Sequence, residues 1–203
     1  MNELEIDALV EKAVLGDNEA LADLFSHYKS QLRRMIAFRM DQNLKGRVDP
    51  SDVLQEAFLD LVERLPAFKD KGMSFFVWLR LVTHERLLRV HRQHLNTQKR
   101  DARREVGFQK GIDVTSISLA AHLLGEFSSV EGKAIRAEKS ARLHTILDKM
   151  QPDDREIIAL RIFEGLSNME IAEVLGLTKQ TTSKRFLSAI TKLKTELEDV
   201  SGF

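Results

Sequence analysis

Apolar residues recur along this chain three and four positions apart, the interval that collects them on one side of an α-helix, and no stretch alternates as a half-buried strand would. The pattern predicts an all-α protein. A first helix runs from about Ile6 to Leu15 and ends at Gly16. Asp17 caps a second that reaches about Met40, with Leu21, Leu24, Phe25, Leu32, Ile36 and Met40 inward. Asp49-Pro50-Ser51-Asp52 starts a third, with Asp49 as N-cap, proline at the first helical position and an acid in the first turn, where the helix dipole favours it. This helix turns Val53, Leu54, Ala57, Phe58, Leu61, Val62 and Leu65 inward, leaves Asp52, Gln55, Glu56, Asp60 and Glu63 outside, and stops at Pro66. A loop over 69–73 leads to a long helix from about Ser74 to His94, with Phe76, Leu79, Val82, Thr83, Leu87 and Val90 inward.

Periodicity fades from about Gln98 to Ser128, where glycine, serine and threonine accumulate and one short helix fits around Leu119 to Leu124. Ser128 and Glu131 have capping-box spacing and open a helix to about Met150; Pro152 opens another that Gly165 ends. The predicted organisation is two small helical domains, residues 1–97 and 129–203, joined by a linker over 98–128.

The last stretch is the most specific. Ser167 and Glu170 form a second capping box, so a helix starts at Asn168, and Gly176 supplies the positive φ that ends it. Thr178 caps the helix that follows, and Ala172 is small where the two would cross. From Lys179 to Lys194 the charges are Lys179, Lys184, Arg185, Lys192 and Lys194 with no acid among them, while Phe186, Ala189, Ile190 and Leu193 form the inward stripe. Two short helices with a glycine turn and a cationic, hydrogen-bonding second helix make a helix-turn-helix, with Lys179, Gln180, Thr181, Ser183, Lys184 and Arg185 as candidate DNA contacts in a major groove.

Charge divides the rest. The 31 basic and 31 acidic residues cancel over the whole chain, but 49–70 is acidic and 71–110 basic, which points to one cationic and one polyanionic partner. Arg80, Arg86, Arg89 and Arg92, beside Phe75, Phe76 and Trp78, are candidates for neutralising and stacking on a single strand; the alternative for these aromatic residues is the core. His84, His91 and His94 share a helix, yet their spacing matches no compact metal motif and the neighbouring arginines repel a dication, so no metal is expected. No phosphate loop, nucleophile elbow or carboxylate pair appears, and neither enzymatic activity nor a cofactor is expected. With no cysteine, an acidic start and no apolar run of about 20 residues, the chain reads as cytoplasmic without membrane insertion.

Taken in order, these residues resemble the extracytoplasmic-function class of bacterial RNA polymerase sigma factors. Asp49-Pro-Ser-Asp-Val-Leu-Gln-Glu56 is similar to the family's second conserved region, Phe75-Phe-Val-Trp-Leu-Arg-Leu-Val82 to the region after it, and Leu147 through Leu193 to the fourth. The resemblance implies docking of Asp52, Gln55 and Glu56 on the clamp helices of the polymerase largest subunit, opening of the minus-10 element by the basic helix, and reading of the minus-35 element by the helix-turn-helix. It also implies core RNA polymerase and promoter DNA as partners and brings an anti-sigma protein into consideration. Three residues depart from the family's pattern: Glu85 for a usual asparagine, Arg89 for a usual acid, and Thr182 for an aliphatic anchor that would hold the recognition helix more firmly. The first two leave the minus-10 base preference open. A different class, a stand-alone helix-turn-helix regulator dimerising through its N-terminal helices, has no use for an acidic helix followed by an arginine-rich one.

Overall fold

The computed structural model describes residues 1–41, 44, 46–68, 72–96, 119, 120, 122, 123 and 133–199, with side chains described except at 95, 96, 133–140 and 197–199. Among the described residues the secondary structure is helical, without strands. They include the α-helices α1 (Glu3–Val14), α2 (Asn18–Arg39), α3 (Pro50–Arg64), α4 (Phe75–Asn96), α5 (Lys133–Lys149), α6 (Pro152–Ile162), α7 (Asn168–Leu175) and α8 (Lys179–Asp199), and a 3₁₀ turn at Leu65–Ala67. The chain divides into two compact units, Met1–Arg103 and Arg104–Phe203. Most of the segment read as a linker lies outside the described residues. Within it Leu119, Ala120, His122 and Leu123 are helical; Leu119, Ala120 and Leu123 are buried, and the His122 ring meets Phe163 edge-on at 5.7 Å. The expected capping pair Ser128 and Glu131 also lies outside.

In the first unit α1 packs on α2, α2 on α3, and α3 on α4. The starts of α2 and α3 are local chemistry. Asp17 Oδ1 accepts the N–H groups of Glu19 and Ala20, and Asp49 Oδ1 accepts that of Ser51 at 2.7 Å, each satisfying donors that have no partner in the first turn. α1 begins three residues before the sequence expectation because Asn2 and Glu5 form a reciprocal capping box at 2.9 Å each way. The core gathers Leu21, Leu24, Leu32, Met35, Ile36, Val53, Leu54, Ala57, Leu61, Leu79 and Leu87, all at or below 2% exposure. Aromatic packing closes one side: Phe68, Phe75 and Trp78 meet with centroids 5.1 to 5.8 Å apart, and Tyr28 stacks on Phe76 at 4.8 Å. Two positions of α3 are sided differently from the expectation. Val62 is 42% exposed rather than inward, and Asp60 is 6% exposed rather than outside.

In the second unit α8 packs against α5, α6 and α7. Its core is built from Leu147, Ile157, Ile158, Ala159, Leu160, Leu166, Ile171 and Ala189, with Leu193 at the edge. Arg155 spans the α5–α6 turn, donating to the carbonyls of Leu147 and Met150 at 3.0 and 2.6 Å, which gives partners to two acceptors at the end of α5. Among the described residues no helix is long and apolar enough to cross a membrane.

Candidate nucleic-acid and partner interfaces

The helix-turn-helix is assembled by its caps. Ser167 Oγ accepts the Glu170 N–H at 3.2 Å while the Glu170 carboxylate accepts the Ser167 N–H at 2.7 Å. Gly176 closes α7 at φ 64°, a left-handed conformation that would cost a residue with a Cβ about 1–2 kcal/mol, and the Leu177 N–H returns to the Ala172 carbonyl at 2.9 Å. Thr178 Oγ1 then accepts the Thr181 N–H at 3.1 Å and starts α8.

These caps fix which side of α8 faces out. Thr182 is fully buried, and its hydroxyl donates to the Thr178 carbonyl at 3.1 Å, so the departure from an aliphatic anchor leaves no polar group unpaired. Ser183 points toward α7: its hydroxyl donates to the Lys179 carbonyl at 3.0 Å and accepts from the Asn168 side-chain amide at 2.8 Å. Lys179, Gln180, Thr181 and Lys184 are exposed. Arg185 is engaged elsewhere. Its guanidinium pairs with Asp153 at 3.0 Å and with the buried Asp154 at 3.1 Å, both in the first turn of α6. Burial alone would lower the Arg185 pKa, but hydrogen bonds to Asp153 and Asp154 outweigh it and raise the pKa above the ordinary value. Arg185 therefore clamps α8 to α6, and reaching a base edge would strand Asp154.

On α3 the expected docking residues Asp52, Gln55 and Glu56 are all exposed along one face. Further along it Glu63 is exposed together with Leu59, at 65%, and Val62, so the face is acidic with an apolar centre.

The arginines of α4 part company. Arg80 lies in the interior at 6% exposure, where it cannot serve as the expected DNA contact without leaving the core. Arg86 donates from Nε to Asp60 Oδ2 at 2.9 Å and from Nη2 to Asp60 Oδ1, with Glu56 3.5 Å away, and Arg89 donates to Asp60 Oδ2 at 3.3 Å. Burial would raise the Asp60 pKa, but the Arg86 hydrogen bond and the charges of Arg86, Arg89 and Arg64 prevail and hold the carboxyl below its ordinary value; the hydrogen bond to Asp60 in turn raises Arg86. Glu85, where the family usually has asparagine, pairs with Arg64 at 2.5 Å. Arg92 is exposed. Phe75, Phe76 and Trp78, at 6%, 4% and 3% exposure, are core rather than a stacking platform. His91 is buried, with Nε2 accepting the Asp41 N–H at 3.4 Å; burial, opposed by the Asp41 charge, lowers its pKa.

Sequence reasoning misses two structural anions, Asp60 and Asp154, because the arginines they hold lie 26 to 31 residues away on other helices. A carboxylate on the outward count of a helix, opposite an arginine pair three residues apart on the next helix, is the pattern that could have found Asp60.

Comparison with known proteins places the chain in a family. The ECF sigma factor family model matches residues 3–199. The chain is similar to the ECF RNA polymerase sigma factor SigD of Mycobacterium tuberculosis, 25% identical over 192 residues that cover 95% of this chain and 84% of the relative. Similarity to SigW of Bacillus subtilis is 26% over 199 residues, covering 98% of this chain and all of the relative. In fold it is similar to CnrH, solved in complex with the cytosolic domain of CnrY, with a TM-score of 0.53, 22% identity, and coverage of 98% of this chain and 99% of that one. With the family model spanning both helical units, the chain belongs to the ECF sigma factor family, the subunits that direct RNA polymerase to promoters.

Proposed function

We propose that the division of labour within this sigma factor follows its exposed faces. The first unit docks on the clamp helices of the polymerase largest subunit through Asp52, Gln55 and Glu56, and Arg92 meets the minus-10 strand. The second unit reads the minus-35 duplex through Lys179, Gln180, Thr181 and Lys184. Arg86, Arg89, Ser183 and Arg185 act behind these contacts by positioning α4 and α8. The segment over 98–128, read from the sequence as a linker, joins the two helical domains. An anti-sigma protein competing for these faces completes the partners, the setting is the cytoplasm, and the protein carries no catalytic step of its own.

The observation that carries this reading is the contrast between two exposed faces. That of α3 presents Asp52, Glu56 and Glu63, whereas that of α8 presents Lys179, Lys184 and Lys192 with no acid before Glu196. An acidic face repels DNA, and a cationic partner that covers it removes the repulsion. Promoter binding should therefore depend on core enzyme. The test is a footprint at physiological salt with and without core polymerase: protection of minus-35 and minus-10 only in its presence supports the reading, and equal protection by the isolated chain overturns it.

A further inference from the structure

Among the described residues of α8, Leu187 is the large apolar side chain left in solvent, at 65% exposure. A single exposed leucine is ordinary on a protein surface, so its meaning depends on its neighbours. Leu187 follows Gln180, Ser183 and Lys184 by seven, four and three residues, the spacing that aligns side chains in one strip of a helix and the spacing recognition helices use along a groove. The opposite side of α8 is fixed inward by Thr182 and Ala189, both at 0%, and by Leu193 at 7%. Ser183 turns to Asn168 and Arg185 to Asp153 and Asp154, which leaves Gln180, Lys184 and Leu187 as the strip that projects outward.

The surroundings select the ligand. Lys179, Lys184, Gln180, Thr181 and Ser188 are exposed around Leu187, a cationic and hydrogen-bonding environment suited to a polyanion. Leucine can neither donate to nor accept from a base edge. In the major groove the base feature that rewards an apolar side chain is the C5-methyl of thymine. We propose that Leu187 is a specificity-determining residue that packs on a thymine methyl in the minus-35 element. This rests on the reading of α8 as the minus-35 helix.

The test uses the full chain with core polymerase on a promoter located by run-off transcription. Each minus-35 thymine is replaced in turn by deoxyuridine, which removes the methyl and keeps every hydrogen-bonding group. At one position uracil should weaken wild-type binding about fourfold, the worth of one buried methyl-sized group. Leu187→Ala should bind the thymine promoter about as weakly and be indifferent to the exchange there, while Leu187→Met should keep the discrimination. Because Leu187 is exposed, the unfolding of Leu187→Ala should match wild type. A minus-35 element without thymine, wild-type indifference to every exchange, or undiminished methyl dependence in Leu187→Ala would overturn the assignment. Those outcomes leave the footprint in place; absence of minus-35 protection in the wild type would overturn the reading of α8 itself, and this inference with it.

Discussion

Asp60→Asn should destabilise the N-terminal unit far more than a substitution on the outward count of α3 would suggest. Asp60 is 6% exposed, and its carboxylate accepts from Arg86 Nε at 2.9 Å, from Arg86 Nη2, and from Arg89 at 3.3 Å. Removing one member of a buried ion pair costs about 3–5 kcal/mol because the other charge stays behind. Here the guanidinium groups can turn partly to water, since their side chains are 20% and 37% exposed, and a surface pair is worth at most about 1 kcal/mol. An intermediate cost of about 2–3 kcal/mol is expected, a fall of about 1–2 M in the urea midpoint for an m-value typical of a small domain. Trp78 is the single tryptophan, lies in this unit and is 3% exposed, so its fluorescence reports the unfolding of this unit specifically. The penalty should also depend on pH. With a folded pKa below the unfolded one, the carboxylate contributes its full stability above the ordinary aspartate range and loses it as pH falls through the folded value, so wild type and variant should converge in acid. A midpoint change equivalent to less than about 0.5 kcal/mol, the scatter of ordinary surface substitutions, would refute the clamp.

Other perturbations separate contact from scaffold. Asp52→Arg should reduce core polymerase affinity at least about tenfold, corresponding to about 1.4 kcal/mol, with unchanged unfolding, as measured by fluorescence titration of labelled protein. Lys184→Ala should weaken minus-35 binding by about 1–3 kcal/mol if the side chain reaches a base edge, or lower the salt slope by about one if it meets a phosphate. Arg185→Ala should instead lower the stability of the C-terminal unit by about 1–3 kcal/mol, since the buried Asp154 loses its charged donor, visible as a lower calorimetric transition. His91 has a depressed folded pKa, so the N-terminal unit should keep full stability above the ordinary imidazole value of 6.5 and lose it as pH falls below, and His91→Gln should flatten that slope in Trp78-monitored denaturation.

What the sequence makes legible is mostly local. Ser167 with Glu170, Gly176, Thr178 and Asp49 before Pro50 each act within three residues, and the structure places them in the roles their types dictate. Asn2 and Glu5 obey the same rule, but asparagine at the cap makes a weaker written pattern than serine or threonine. Tertiary pairing is what the pattern hides. The outward count of α3 makes Asp60 look solvated, yet α4 supplies two arginines 26 and 29 residues later and draws it inside. Arg185 reads as a groove residue from its place in α8, and only the packing of α6 against α8 shows that Asp153 and Asp154 claim it. Trp78 and Arg80 fall within the basic 71–110 stretch of the sequence, while the helix turns both into the core.

The most direct test of the account is reconstituted initiation. Purified chain and core RNA polymerase are combined on fragmented genomic DNA, and transcript 5′ ends are mapped. Discrete start sites are expected that require both components, share sequence near minus-10 and minus-35, and disappear with Asp52→Arg. Transcription indifferent to the chain, or a chain that occupies a palindrome alone as a dimer and initiates nothing with core enzyme, would contradict it.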